Sequence, residues 1–116
     1  MIAFINRFHG HGSLRYVYQN SQSFRSQLIN IKMIKNPHRK NSRIAVVISK
    51  KTLKSSVGRN RIRRRVYEYI RSQIPLFTGI FDIVIIVSSG ELTILPYNEI
   101  TTNISQILIQ AGIVKK

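Results

Sequence analysis

The sequence predicts a small α/β sandwich, with helices packed on a central sheet in the order α-β-β-α-β-α. Three observations carry this. Two segments rich in β-branched residues, "RIAVVISK" (Arg43–Lys50) and "FDIVIIV" (Phe81–Val87), are apolar on both faces, as central strands are. Between them lies "SVGRNRIRRRVYEYIR", whose Ile62, Val66, Tyr69 and Ile70 fall at i, i+4, i+7 and i+8, one stripe of a helix. Strand, helix and strand in that succession allow a parallel pair and place this helix against the sheet. The length, 116 residues of which 43% are hydrophobic, suits one domain with one core, so residues 1–116 read as a single unit.

The elements follow in order. Residues 1–12, ending "RFHGHG", read as an extended lead-in. Ser13 is a candidate cap for a short helix over residues 13–20, on which Leu14, Val17 and Tyr18 share a face and Tyr16 points elsewhere. Residues 24–34, "FRSQLINIKMI", alternate: Ile29, Ile31 and Met33 take one face, Leu28, Asn30 and Lys32 the other, a strand with one buried side. "KNPHRKNS" is a polar turn broken by Pro37. Ser55 or Ser56 caps the arginine helix, and Pro75 and Gly79 stop it. Pro96 opens a last helix with Tyr97, Ile100, Ile104, Ile107, Leu108 and Ala111 inward and Gly112 as its stop.

Charge points to a partner. The chain carries 19 basic and 4 acidic residues, a formal net charge of +15. Seventeen of the basic residues precede residue 72, against one acid, Glu68, while Asp82, Glu91 and Glu99 lie in the remainder with Lys115 and Lys116. Self-repulsion on that scale is relieved by a polyanion, and the basic part holds the site. Five arginines fall within Arg59–Arg65. A solvated surface helix interleaves acids at i+3 or i+4; here only Glu68 is placed to pair, with Arg64, Arg65 or Arg71. Arginine's planar fork grips phosphate through two bonds and stacks on bases.

Other classes fit poorly. With no cysteine, disulfides and thiolate metal sites are excluded, in keeping with a reducing compartment. The longest apolar run, Ile80–Val87, is too short to span a bilayer and contains Asp82, and "MIAFINRFHG" lacks the apolar core of a signal peptide. The expectation is a cytoplasmic protein with no membrane partner. His9 and His11 in "HGHG", and His38, have no further ligands nearby and read as loop residues, so no metal site is expected. The four carboxylates are scattered, so no catalytic constellation of the protein's own is expected either.

The arginine segment also resembles a known family. Ser49-Lys50-Lys51 at a strand end, a short gap, then Arg59-Asn60-Arg61 opening a basic helix continued by Ile62 and Arg63-Arg64 is similar to the core of the bacterial ribonuclease P protein subunit. Asn6-Arg7, the short aromatic helix and the terminal helix follow the same order. The resemblance implies a fold like the second domain of ribosomal protein S5, with a left-handed strand–helix–strand crossover where about 98% of such connections are right-handed. It implies a protein that binds a catalytic RNA and helps it remove the 5′ leader of precursor tRNA, an endoribonuclease reaction leaving a 5′-phosphate. The chemistry and the required Mg²⁺ would belong to the RNA, with no cofactor on the protein and no obligate protein partner.

Carried over by residue, the RNA-facing set is Lys50, Lys51, Arg59, Asn60, Arg61, Arg63 and Arg64, with Arg65 added on charge alone. A cleft between the first helix and the sheet would hold the leader. The two aromatics that the family places there correspond to Leu14 and Tyr18; Leu14 departs from the pattern and Tyr16 is the candidate substitute. Gly58, just before the motif, departs too and would loosen the helix start. The competing readings are a structural ribosomal protein, a DNA-binding module with the arginine helix in the major groove, and a free-standing nuclease.

Overall fold

A computed structural model describes residues 6–8 and 11–115. Most of the expected lead-in, with His9, lies outside the described residues, as do the side chains of His11 and Ser13, including the cap proposed for Ser13. The elements are α1 (His11–Asn20), β1 (Gln22–Arg25), β2 (Ile29–Lys35), β3 (Arg43–Ile48), α2 (Ser56–Gln73), β4 (Phe81–Val87) and α3 (Tyr97–Gln110). Helix α1 thus begins at His11, inside the stretch expected to be extended.

One strand was not expected. Residues 24–34 are not a single strand: β1 and β2 form an antiparallel hairpin, with Phe24 opposite Ile31. The turn between them has no Gly, Pro or Asn to announce it. Ser26 makes it instead, its Oγ accepting from Leu28 N at 3.3 Å and Ile29 N at 3.2 Å. Leu28, in this turn, packs against the main core rather than on the opposite face.

The sheet order is β1-β2-β4-β3, with β2 antiparallel and β3 parallel to β4. Alternation sorts its two faces. Ile29, Ile31 and Met33 register with Val87, Ile85 and Ile83, which in turn register with Ile48, Val46 and Ile44. This apolar face is covered by Ile62, Val66 and Ile70 of α2 and by Ile100, Ile104, Ile107 and Leu108 of α3, all buried in one cluster. Val17 and Val84 are also fully buried but stand outside that cluster. They mark the opposite face, where α1 touches β2 and β4.

Strand β3 is an edge, and its outward N–H groups need partners. Tyr67 supplies one: its hydroxyl accepts from Val46 N at 3.0 Å. Gly112, with φ 77°, ends α3 in the left-handed region that glycine adopts without strain.

A polar cluster closes the end of the sheet where β3 and β4 begin. Asp82 is buried and accepts from Arg43 through both oxygens, Nε at 2.9 Å and Nη2 at 2.6 Å, and from Asn36 Nδ2 at 2.8 Å. The Arg43 guanidinium lies 4.8 Å from the centre of the Phe8 ring. Asn6 Nδ2 donates to Ser42 O at 2.7 Å. These contacts fix the segment that enters α1.

Candidate nucleic-acid interface

Helix α2 is the platform. Ser55 caps it in an extended conformation, its Oγ accepting from Gly58 N at 3.0 Å. Gly58 lies in the first turn of the helix; a Cβ there would lie 2.8 Å from Leu53 Cδ2, so the glycine permits a close approach. The buried stripe of Ile62, Val66 and Ile70 pins the helix against the sheet. Side chains off that stripe are thereby aimed away from the core by a rigid element.

The five arginines divide by what they touch. Arg64 is exposed with no hydrogen bond or ion pair among the described residues. Arg63 Nη1 donates to Asn60 Oδ1 at 2.9 Å, one turn away, which orients the guanidinium. Arg59 Nη1 donates to Leu53 O at 2.8 Å and Lys54 O at 2.7 Å, tying the β3–α2 turn to the helix. Lys50 and Lys51 are exposed in that turn. Arg61 Nε donates to Thr93 O at 3.1 Å. Arg65 is half-buried and donates to Leu92 O at 2.9 Å, Thr93 O at 3.2 Å and Leu95 O at 2.6 Å.

Arg65 therefore acts first as a clamp on the short 3-10 turn Gly90–Thr93 and the segment after it. Its donors facing the turn are occupied, unlike those of Arg64. Arg64, placed in the RNA-facing set by the family motif, and Arg65, added to it on charge alone, share a helix and not an environment. Replacing Arg65 by alanine is expected to lower stability by about 1–3 kcal/mol, since several buried-side carbonyls lose a charged donor. Urea unfolding checks this.

Acids do not neutralise this surface. Glu68 pairs with Arg71 at 3.6 Å, both about three-fifths exposed, a contact of little energetic weight. Asp82 is consumed by Arg43 on the far side of the sheet. Glu91 and Glu99 are exposed, at the short turn and in the first turn of α3.

The second face of the sheet forms the other candidate surface. Ser23 and Arg25, Asn30 and Lys32, Val84 and Ile86, and Ala45 and Val47 alternate onto it. Helix α1 covers Val84, while Ala45, Val47 and Ile86 stay half-buried, leaving an uneven surface beside the helix. Leu14 is half-buried, whereas Tyr16 is 57% and Tyr18 42% exposed. Tyr18 thus sits at the rim rather than on the buried face with Val17. Lys32 Nζ donates to Ser23 Oγ at 3.1 Å, and the Asn30 Oδ1 is buried without a partner among the described residues. The alternation already turned Asn30 and Lys32 from the core, whereas Arg25, which a single strand would put on the face of Ile29, reaches this surface only through the β1–β2 hairpin.

The structure also places three further tyrosines. Tyr67 and Tyr69 pack against the main core, Tyr67 also by its edge-strand bond. Tyr97 was expected on the inner face of α3, but it is 45% exposed and stands beside Arg61, Arg64 and Arg65. The apolar stripe of α3 begins one turn before the core it packs on.

Among the described residues, no three His, Cys, Asp or Glu side chains gather as a metal site, and no helix is long and apolar enough to cross a membrane. A rigid helix with an unneutralised arginine face, a lysine turn at its start and a half-open sheet face with exposed tyrosines together define a polyanion-binding protein of the nucleic-acid class.

Comparison with known proteins gives the family. The ribonuclease P family profile matches residues 5–112. The ribonuclease P protein component of Borreliella burgdorferi is 39% identical over 83 residues, 70% of this chain and 69% of the relative. That of Prochlorococcus marinus (strain MIT 9312) is 34% identical over 80 residues, a match that spans 62% of the relative. That of Chloroflexus aggregans is 29% identical over 106 residues, 91% of this chain and 77% of the relative. The Staphylococcus aureus RNase P protein superposes with a TM-score of 0.83 at 18% identity, covering 95% of this chain and 98% of that one. The Thermotoga maritima protein does so at 0.79 and 20% identity, covering 90% and 96%. This chain belongs to the ribonuclease P protein family. Superposition at that level means that this chain shares the path of its β3–α2–β4 crossover with both structures.

Proposed function

We propose that this chain is the RNA-binding protein subunit of a ribonuclease P ribonucleoprotein. It grips the catalytic RNA and favours endonucleolytic removal of the 5′ leader from precursor tRNA. One observation carries the reading: in a chain of this family, α2 presents Arg63 and Arg64 outward beside exposed Lys50 and Lys51, and among the described residues none of the four is ion-paired to an acid. Those groups neutralise phosphates of the folded RNA and let it bind at lower Mg²⁺. Asn60, Arg59 and Arg61 extend the contact along the same helix. Arg65 contributes its field while bound to the turn.

The leader strand lies on the second face of the sheet beside α1. Tyr18 and Tyr16 offer rings for stacking single-stranded bases, each worth about 1–3 kcal/mol. Leu14 adds an apolar contact only. Arg25 and Lys32 supply charge along the same surface. Phosphodiester hydrolysis and its Mg²⁺ belong to the RNA, the protein contributing affinity and position. Discrimination between precursor and mature tRNA follows, since only the precursor carries the strand this surface holds. The site of action is the cytoplasm.

Reconstitution tests this. The protein mixed with its source organism's processing RNA should restore precursor cleavage at Mg²⁺ concentrations where the RNA alone is slow. Precursor should also bind more tightly than mature tRNA. Equal rates with and without protein across the Mg²⁺ range would rule the assignment out.

A further inference from the structure

Tyr97 is the residue that sequence periodicity and tertiary structure place differently. It lies at the start of α3 with 45% of its surface exposed. Its neighbours are Arg61, Arg64, Arg65 and Glu68, around a depression of about 390 Å³. Single exposed aromatics are ordinary, but a ring among three guanidiniums combines two recognition chemistries. The ring offers a face for a planar base, and the guanidiniums offer forked donors to a phosphate.

We infer that Tyr97, Arg61 and Arg64 form a site for one unpaired nucleotide of the RNA partner, its base stacked on the Tyr97 ring and its phosphate held by Arg64. The inference rests on the RNA-binding reading and adds a subsite to it. The protein's own contacts prepare the place. Arg61 and Arg65 are held by the carbonyls of Leu92, Thr93 and Leu95, so the positive wall is preset. Arg64 has no partner among the described residues and is available to the ligand. Glu68, one turn further along α2, carries acceptors only and is shared with Arg71 at 3.6 Å. It disfavours phosphate at that end and accepts from an exocyclic amine or a ribose 2′-hydroxyl. The nucleotide is thereby oriented, phosphate toward Arg61 and Arg64 and its donor edge toward Glu68. A duplex buries its base faces and shows this site only backbone, so the ring has use only for an unpaired or extruded base.

The chain has no tryptophan, so Tyr97→Trp installs a single indole fluorophore. The probes are a single-stranded oligoadenylate RNA and the same strand annealed to its complement. The single strand should quench the indole emission of the Tyr97→Trp chain saturably, and the duplex should not. Tyr97→Ala should weaken single-strand binding by about fivefold or more, the effect of one stacked base, with the salt slope unchanged. Arg64→Ala should instead lower that slope by about 0.7. Tyr97→Phe should bind as the parent does. If the alanine variant fails to fold, the quenching arm decides alone. Indole emission that stays unquenched at saturating strand, or parental affinity in Tyr97→Ala, overturns the site while leaving the RNA-binding reading intact. A parent chain that binds neither the probes nor its catalytic RNA overturns both.

Discussion

An Asp82→Ala chain is expected to lose about 3–5 kcal/mol of folding free energy. Asp82 is 1% exposed and receives three hydrogen bonds, two from Arg43 and one from Asn36. Deleting the carboxylate leaves the Arg43 guanidinium in a poorly solvated place without its counter-charge. Against a typical stability of about 5–15 kcal/mol, the loss is a large fraction. Urea unfolding should show a lower midpoint at an unchanged slope. Replacing both partners with apolar residues, Arg43→Met with Asp82→Leu, should recover much of the loss, because no charge is then stranded. If the single variant unfolds with the parent's midpoint, the ion pair does not hold this end of the sheet. The consequence reaches the sheet face proposed to hold the leader. Phe8 rests on Arg43, and Asn6 is bonded at neighbouring Ser42, so the pair also anchors the entry to α1, one wall of the sheet-face groove.

The second large effect concerns affinity. Replacing Lys50, Lys51 and Arg64 together by alanine should leave the fold intact, since all three side chains are exposed and none has a hydrogen bond or ion pair among the described residues. If the parent neutralises about six phosphates, its binding to the catalytic RNA falls with salt at a log–log slope of about −4 to −5. Removing three contacts should bring the slope to about −2 to −3. The affinity loss should be about two orders of magnitude at about 0.1 M salt and shrink as salt rises. An unchanged slope would mean that these cations do not meet phosphate.

The two variants separate roles that composition merges. Arg43, the partner of Asp82, and Arg65 hold the fold, whereas the equally basic Lys50, Lys51 and Arg64 are held out by it. The same applies to the tyrosines: Tyr67 completes an edge strand, Tyr69 packs on the core, and Tyr97 faces the arginines. Residue type and spacing do not distinguish these uses. They depend on which carbonyls, strand edges and helix ends come near from distant parts of the chain.

Much of the architecture was legible. The β2 alternation, the largely buried β4 and the Ile62–Val66–Ile70 stripe follow from period and composition, with Ile86 and Tyr69 only partly buried. The β1–β2 turn was not legible, because Ser26 makes it with a side-chain bond where no Gly or Pro stands. Tyr97 was misplaced because a helical stripe can run past the core that gives it meaning.

By itself, then, the sequence determined the layered fold class, the arginine helix with its cap at Ser55 or Ser56, and the polyanionic nature of the partner. These depend on local periodicity and on summed charge, which need no knowledge of distant contacts. Only the tertiary structure decided which arginines are free to bind, that Asp82 is spent on Arg43, and that α1 and the α2 face present separate surfaces. Those outcomes arise from groups far apart in the chain meeting at hydrogen-bond distance, as when Arg65 reaches the carbonyl of Leu95.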